Sequence, residues 1–407
     1  MKVKAIGKIY RWFADVALAF RSEMSAIVHD AGVLLFFVGL PLVYPVVYTL
    51  IYNTEDVREL PFAVVDHCRS VESRSFVRMA DATAQMKLYD YAADMQEARR
   101  WLADNQVYGI LEIPRDYSDN INTASQATIT FYSDMSLLLR YRSFLSALTD
   151  LQLQTGAQIT QKRVNMIGLP AAALSGSPVQ TQTNFMGDTQ QGFASFVMPG
   201  IVVLILQQSM VLGICMIAGT SVDRRRRKGM PVWGCGGHAM PSATVLGKAI
   251  SYMVFYIPFT IYILHYIPVW FDLPHQGSAV DYLLFMLPFL LSSACFGIML
   301  SYLMRQREDA FIYIVFTSLV FLFLSGLTWP RYAMNWLWHS LGACVPATWG
   351  VEGFVRINSN GAVLSEQAVP YIWLWGLSAV YFVACWILQR YMSRAVCRHD
   401  AQIRTDI

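Results

Sequence analysis

Residues 193–220 read FASFVMPGIVVLILQQSMVLGICMIAGT, and no charged residue interrupts them. A helix rises about 1.5 Å per residue, so about 20 mostly apolar residues cross the roughly 30 Å of bilayer hydrocarbon. Directly after this run come Arg224, Arg225, Arg226, Arg227 and Lys228, the pattern of a span that halts at a charged membrane face. Five further runs free of Lys and Arg have similar length: 31–52, 249–267, 282–304, 310–327 and 369–388. The prolines inside them (Pro41, Pro45, Pro199, Pro258 and Pro288) are tolerable because neighbouring helices and waters satisfy the freed carbonyls.

Composition agrees. Of 407 residues, 55% are hydrophobic and 14% charged, against about 25% charged in a soluble domain. The mean hydropathy is +0.38. These figures exclude a disordered chain, a coiled coil and a nucleic-acid-binding module. The net charge of +3 points to no polyanionic partner, and seven cysteines in this length make no disulfide scaffold. Residues 1–30 read as a cytoplasmic amphipathic helix rather than a cleaved signal. Ile6, Ile9, Tyr10, Phe13, Val16, Ala17 and Phe20 recur at helical steps, and Lys4, Lys8 and Arg11 can reach lipid head groups.

The basic residues orient the chain, because short cytoplasmic loops are enriched in Lys and Arg. Residues 1–30, the loop 221–248, the loop holding Arg305 and Arg307, and the tail 390–407 carry seventeen of them. The segments 268–281 and 328–368 carry two, Arg331 and Arg356. The expected topology has six spans with both termini in the cytoplasm. Residues 53–191 then form one α/β domain outside, inserted between the first span (31–52) and the second (192–220). Strands are expected at 60–66, 85–91, 107–113 and 127–132, rich in Val, Ile, Tyr and Phe. Asp94 with Glu97 signals a helix start, 136–161 reads as a long helix, and 169–191 as an irregular return to the membrane. Spans three to five occupy 249–328. Residues 329–368, with Trp329, Trp336, Trp338 and Trp349, read as short outer helices dipping into the leaflet, and 369–389 as the sixth span.

Catalytic motifs do not appear. No stretch fits G-x-x-x-x-G-K-[ST], H-E-x-x-H, C-x-x-C or G-x-S-x-G. The chain is read as a non-enzyme with no cofactor or metal of its own. His265 and His275, with Asp272 between them, offer metal-ligand chemistry, although loop histidines are far commoner. Cys68 is the lone cysteine of the outer domain and reads as a buried thiol or an intermolecular bridge. Gln207 and Gln208 are the polar pair within the second span. An amide in hydrocarbon must find a partner, so they are helix or dimer glue, or line a substrate path.

In sum the chain resembles the permease subunits of type-2 ABC exporters, the branch with a large outside domain. The resemblance rests on five stretches in the family's order. They are EMSAIVHDAGVLLFFVGLPLVYPVVYTLIY from Glu23, VYGILEIPRDYSDNI from Val107, TITFYSDMS from Thr128, FVMPGIVVLILQQSMVLG from Phe196, and FLSGLTWPRYAMNWLWHSLGACVPATWGVEGFVRI from Phe323. One departure stands out. The family carries acidic residues around the Gly-Thr after the second span, whereas here Gly219-Thr220 leads to Asp223 and four arginines.

The resemblance implies a bacterial inner-membrane exporter of a hydrophobic or amphipathic small molecule. It implies a second permease copy, as a homodimer or with a close paralogue, and a separate ABC ATPase that binds ATP and Mg. A membrane-fusion protein and outer-membrane channel would extend the path across two membranes. The expected ATPase-coupling residues are Arg21, Glu23, Asp30, Gly219, Thr220, Asp223, Arg224, Arg225, Arg226 and Arg227. The expected substrate-path or dimer residues are Pro199, Gly200, Gln207 and Gln208. Two other readings compete: a receptor with a ligand-binding outer domain, and a secondary transporter. The first lacks a folded cytoplasmic output domain, and the second lacks matching halves and intramembrane carboxylates.

Overall fold

The computed structural model describes residues 2–52, 57–123, 125–135, 137–167, 193–228, 240–273 and 275–405. Side chains are described for these except at 2–6, 138, 162–167, 193, 225–228 and 394–405. The return expected over 169–191 lies outside the described residues. The chain divides into two compact units, residues 1–53 with 185–407, and residues 54–184.

The helical unit opens with α1 (Lys2–His29). Next come α2 (Ala31–Leu34), a π-helical turn (Leu35–Gly39) and α3 (Leu40–Tyr52), together one apolar rod. The smaller unit holds β1 (Leu60–Asp66), α4 (Val71–Asp81), β2 (Met86–Tyr91), α5 (Met95–Ala103), β3 (Gly109–Ile113), α6 (Tyr117–Asn122), β4 (Thr130–Ser133) and α7 (Leu138–Ile167). Its sheet order is β2-β1-β3-β4. The strand β1 runs parallel to β2 and β3, and β4 is antiparallel to β3. Leu60, Phe62 and Val64 pack with Phe76, Val77 and Phe144 on one face, while Ala63 and Val65 pack with Ala98 and Ile110 on the other. Covering both faces explains why β1 reads as an unbroken apolar run rather than an alternating one. Asp94 caps α5, accepting the Glu97 N–H at 2.8 Å.

Back in the helical unit, α8 (Phe193–Lys228) runs past the expected end of the span, because no Gly or Pro intervenes before Gly229. Then follow α9 (Pro241–Ile261), a π turn (Tyr262–Tyr266) and α10 (Ile267–Trp270), again one rod. The remainder is α11 (Ala279–Ser301), α12 (Asp309–Leu324), α13 (Trp336–Ala343), α14 (Pro346–Asn360) and α15 (Ala368–Thr405). Among the described residues, five helical rods are long and apolar enough to cross a bilayer: Ala31–Tyr52, Ala194–Arg224, Pro241–Trp270, Ala279–Ser301 and Leu364–Ser393. The run at 310–327, read as a span, forms the 16-residue α12 instead. Gly326 takes φ +88° and ends it early. At about 1.5 Å per residue this helix falls short of the roughly 30 Å of hydrocarbon.

The helices α8 and α11 are the core, with 72% and 67% of their apolar windows buried. Small residues let them approach. A Cβ at Gly297 of α11 would lie 2.8 Å from Ile214 Cδ1, and one at Gly350 of α14 would lie 2.5 Å from the Phe289 ring. The π turn of the first rod feeds Phe37 into a ring cluster with Tyr252, Phe255 and Tyr256, at centroid distances of 6.1, 5.6 and 5.3 Å. Gly213 of α8 makes room for that ring. Between α12 and α14, Arg331 Nη1 donates to Glu352 Oε2 at 2.6 Å, and its guanidinium lies 4.2 Å over the Trp349 ring. Trp329, Trp336 and Trp338 are exposed, as interfacial tryptophans require, whereas Trp349 is buried and belongs to the core.

Replacing Gly213 with Ala drives a Cβ into the Phe37 ring. Such overpacking costs about 2 kcal/mol. Gly213→Ala therefore unfolds at lower denaturant in mixed micelles, and adding Phe37→Leu recovers most of the loss. An unchanged midpoint for Gly213→Ala would show that this contact is not tight.

Candidate coupling site

The face of α1 that packs on α9 is set by Asp15, Ala19, Glu23 and Ile27, one per helical turn. Trp12 Nε1 donates to Ser242 Oγ at 3.2 Å, and the Met240 N–H donates to Asp15 Oδ2 at 3.0 Å. Gly247 permits backbone approach, since a Cβ there would lie 2.5 Å from the Val16 carbonyl oxygen. Among the described residues Glu23 is the one buried charged side chain, 4% exposed. Its carboxylate takes Lys248 Nζ at 2.5 Å on Oε1 and the Tyr252 hydroxyl at 2.8 Å on Oε2. Two partners on two oxygens are what a buried carboxylate needs.

Directly after α1, Asp30 caps the first rod, accepting the N–H groups of Gly32 (3.1 Å) and Val33 (3.2 Å) on Oδ1. Arg307 grips the same carboxylate with both terminal nitrogens, at 2.8 and 3.2 Å. Burial pushes the Asp30 carboxyl up. The Val33 and Gly32 amides and the Arg307 charge outweigh it and hold the group below its ordinary value of 3.8. The Arg307 backbone N–H donates to Asp223 Oδ2 at 3.3 Å. Its turn lies flat on Gly219, where a Cβ would stand 2.6 Å from the Gln306 carbonyl oxygen. Asp309 Oδ2 closes the turn by accepting the Arg305 and Gln306 N–H groups at 2.9 and 3.2 Å.

Of the residues expected to couple, Asp30, Gly219 and Asp223 thus meet around Arg307, and Glu23 meets Lys248 two turns along α1. Thr220 turns its hydroxyl back to the Met216 carbonyl at 2.9 Å. Arg21 and Arg224 are exposed, and the side chains of Arg225, Arg226 and Arg227 lie outside the described residues. Lys248, Tyr252 and Arg307 were not anticipated as site residues. Lys248 and Arg307 carried only an orienting role in the sequence, yet a buried carboxylate on an amphipathic helix is itself a signal that a cation lies opposite.

The expected substrate-path residues do not form one site. Gln207 is fully buried within the helical unit, and neither it nor the half-buried Gln208 has a partner for its amide. Ser293 Oγ of α11 is likewise buried and unpaired. Pro199 lines a cavity of about 20 Å³ with Ser195 and Asn358, and Gly200 packs on Leu327. The rings of His265 and His275 are 5.8 Å apart, and no group of three or more potential metal ligands forms among the described residues.

A family model described as ABC-2 family transporter protein matches residues 31–387. The chain belongs to the ABC-2 transporter family. It is therefore a membrane-spanning permease component of an ABC transporter, and membership implies association with an ABC ATPase. The receptor and secondary-transporter readings give way to this. No curated protein matches the permease.

Removing either member of the Asp30–Arg307 pair strands the other, at a cost of about 3 kcal/mol. Asp30→Asn and Arg307→Met should each lower the unfolding midpoint in mixed micelles, and the double variant should lose little more than either single one. The folded carboxyl is depressed, so its contribution is complete above about pH 3.8 and fades as pH falls through the lower folded value. The Asp30→Asn deficit should therefore be constant from pH 8 to pH 5. Additive losses, or a deficit that disappears by pH 5, would contradict this linkage.

Proposed function

We propose that this permease works as a dimer that exports a hydrophobic or amphipathic small molecule from the cytoplasm, driven by a separate ATPase bound to α1 and the end of α8. The observation that carries the coupling is the pair of ion-pair latches at Glu23–Lys248 and Asp30–Arg307. Through them a push on α1 reaches α9, the core helix α8 and the turn before α12. The exposed Arg21 and Arg224, on α1 and at the end of α8, give the ATPase surfaces to bind.

The basic-residue tally supports the orientation, with both termini in the cytoplasm and the α/β unit outside; the placement in a bacterial inner membrane rests on the family resemblance. That arrangement needs an even number of crossings. We assign the sixth to α12, whose Phe311, Val315, Phe316 and Leu319 are exposed and apolar. Its shortfall in length is within what local bilayer thinning accommodates. The cargo class follows from the absence of buried charge within the spans among the described residues, which disfavours an ionic route.

A photo-cross-linking side chain at Arg21 or Arg224, tested in intact cells, should capture a polypeptide that contains a P-loop sequence. The same probe at Tyr132, in the α/β unit, should not. Capture of a P-loop protein at Tyr132, or at none of the three positions, would overturn the proposed coupling face.

A further inference from the structure

We propose that the stack of His275 on Tyr282 is an acid-released clasp joining the turn 275–278, α11 and α14. The two rings stack, parallel within 3°, with their centroids 5.0 Å apart. The Tyr282 hydroxyl ties the joint together, donating to Asn358 Oδ1 of α14 at 3.0 Å and accepting the Gly277 N–H at 3.2 Å. The Gln276 N–H adds a bond to the Asn358 carbonyl at 3.1 Å. One backbone turn, one phenol and one amide thus join three elements, and the His275 ring is the lid on them.

A proton on the stacked ring is costly. Its Nδ1 is shut off from solvent and unpaired, and the Asn358 side chain that favours a charged ring already accepts the Tyr282 hydroxyl. His265, on the π turn, is 5.8 Å away and would repel a second cation. Burial first, and His265 second, hold the His275 imidazole below its ordinary value against a smaller opposing effect of Asn358. The other ionisable groups on the packed elements are committed or exposed. Asp281 Oδ1 accepts the Leu364 N–H at 3.4 Å, and Glu366 Oε2 accepts the Val363 N–H at 3.2 Å. Glu352 is held by Arg331 and Arg356, and Asp272 is exposed.

The sign is fixed by the depressed value. Unstacked, His275 protonates near pH 6.5; stacked, it protonates only at lower pH. The closed clasp is therefore fully stable above about pH 6.5 and weakens as pH falls below it. Beneath the clasp lies the cavity lined by Ser195, Pro199 and Asn358. Asn358 belongs to both, so release of the clasp frees one wall of that cavity. That this end faces the exterior rests on the proposed orientation; the clasp itself does not.

Hydrogen exchange of the full chain in nanodiscs, corrected for intrinsic rates, tests this with both faces in the same buffer. Failure would therefore leave the orientation untouched. Between pH 7.5 and pH 5.5, segments 275–282 and 354–364 should lose protection on the order of tenfold. His275→Phe keeps a stackable ring without a proton and should stay protected at both pH values. His265→Gln removes the repelling neighbour, so the stacked ring protonates more readily and the loss of protection at pH 5.5 should shrink. A flat wild-type response, the wild-type response retained in His275→Phe, or a larger loss in His265→Gln would each overturn the clasp.

Discussion

The carboxylate of Asp30 joins the end of α1, the start of the first rod and the turn that holds Arg307. It ends α1 and starts the first membrane rod by capping it. It also holds Arg307, whose backbone in turn meets Asp223 and rests on Gly219 at the foot of α8. Without that carboxylate the first rod loses its cap and the turn between α11 and α12 loses its anchor. A capping acid at a membrane face is inexpensive where water reaches it. Here it is 11% exposed in its side chain, so it requires a cation, and the cation comes 277 positions later in the chain. Glu23 repeats the logic one level over, with Lys248 and Tyr252. Between them the two acids fasten α1 to the bundle at two points.

The bundle above these latches is built on close approach rather than on polar glue. In lipid, apolar side chains gain little from leaving hydrocarbon for protein, so packing geometry decides association. Gly213, Gly297 and Gly350 each stand where a Cβ would collide with a neighbouring side chain. Gln207, Gln208 and Ser293 break the pattern, with unpaired amides and an unpaired hydroxyl at the α8 and α11 core. A buried amide without a partner destabilises the packing that contains it. Such groups lower the stability of the packing that holds them, which suits the proposed exchange between two packings.

Much of this was legible in the chain because hydrocarbon imposes a length. Runs of apolar residues of spanning length forecast the five rods, and segments rich in Val, Ile, Tyr and Phe forecast the strands of the α/β unit. The limits of legibility have physical causes. The run at 310–327 was apolar enough to span, but Gly326 with positive φ ends α12 at Leu324, and apolarity alone does not record where a backbone turns. Glu23 and Asp30 stood out as acids at the end of an amphipathic helix. Their partners Lys248 and Arg307 looked like ordinary inner-face charges, because a pairing across more than two hundred residues leaves no local pattern. Gln207 and Gln208 were recognisable as costly, but not the fact that one points into the core and the other lies half exposed.

The central claim is that α1 and the turn at 305–309 move as one body when the ATPase closes. Pulsed electron-spin distance measurements between labels at Arg21 and Glu308, in the ATPase-bound protein, test it most directly. A single, unchanged distance in the nucleotide-free and ATP-trapped states is the expected result. A second distance that appears only with ATP would mean that α1 swings free of the bundle, and the latches would then not be the route by which force enters the membrane.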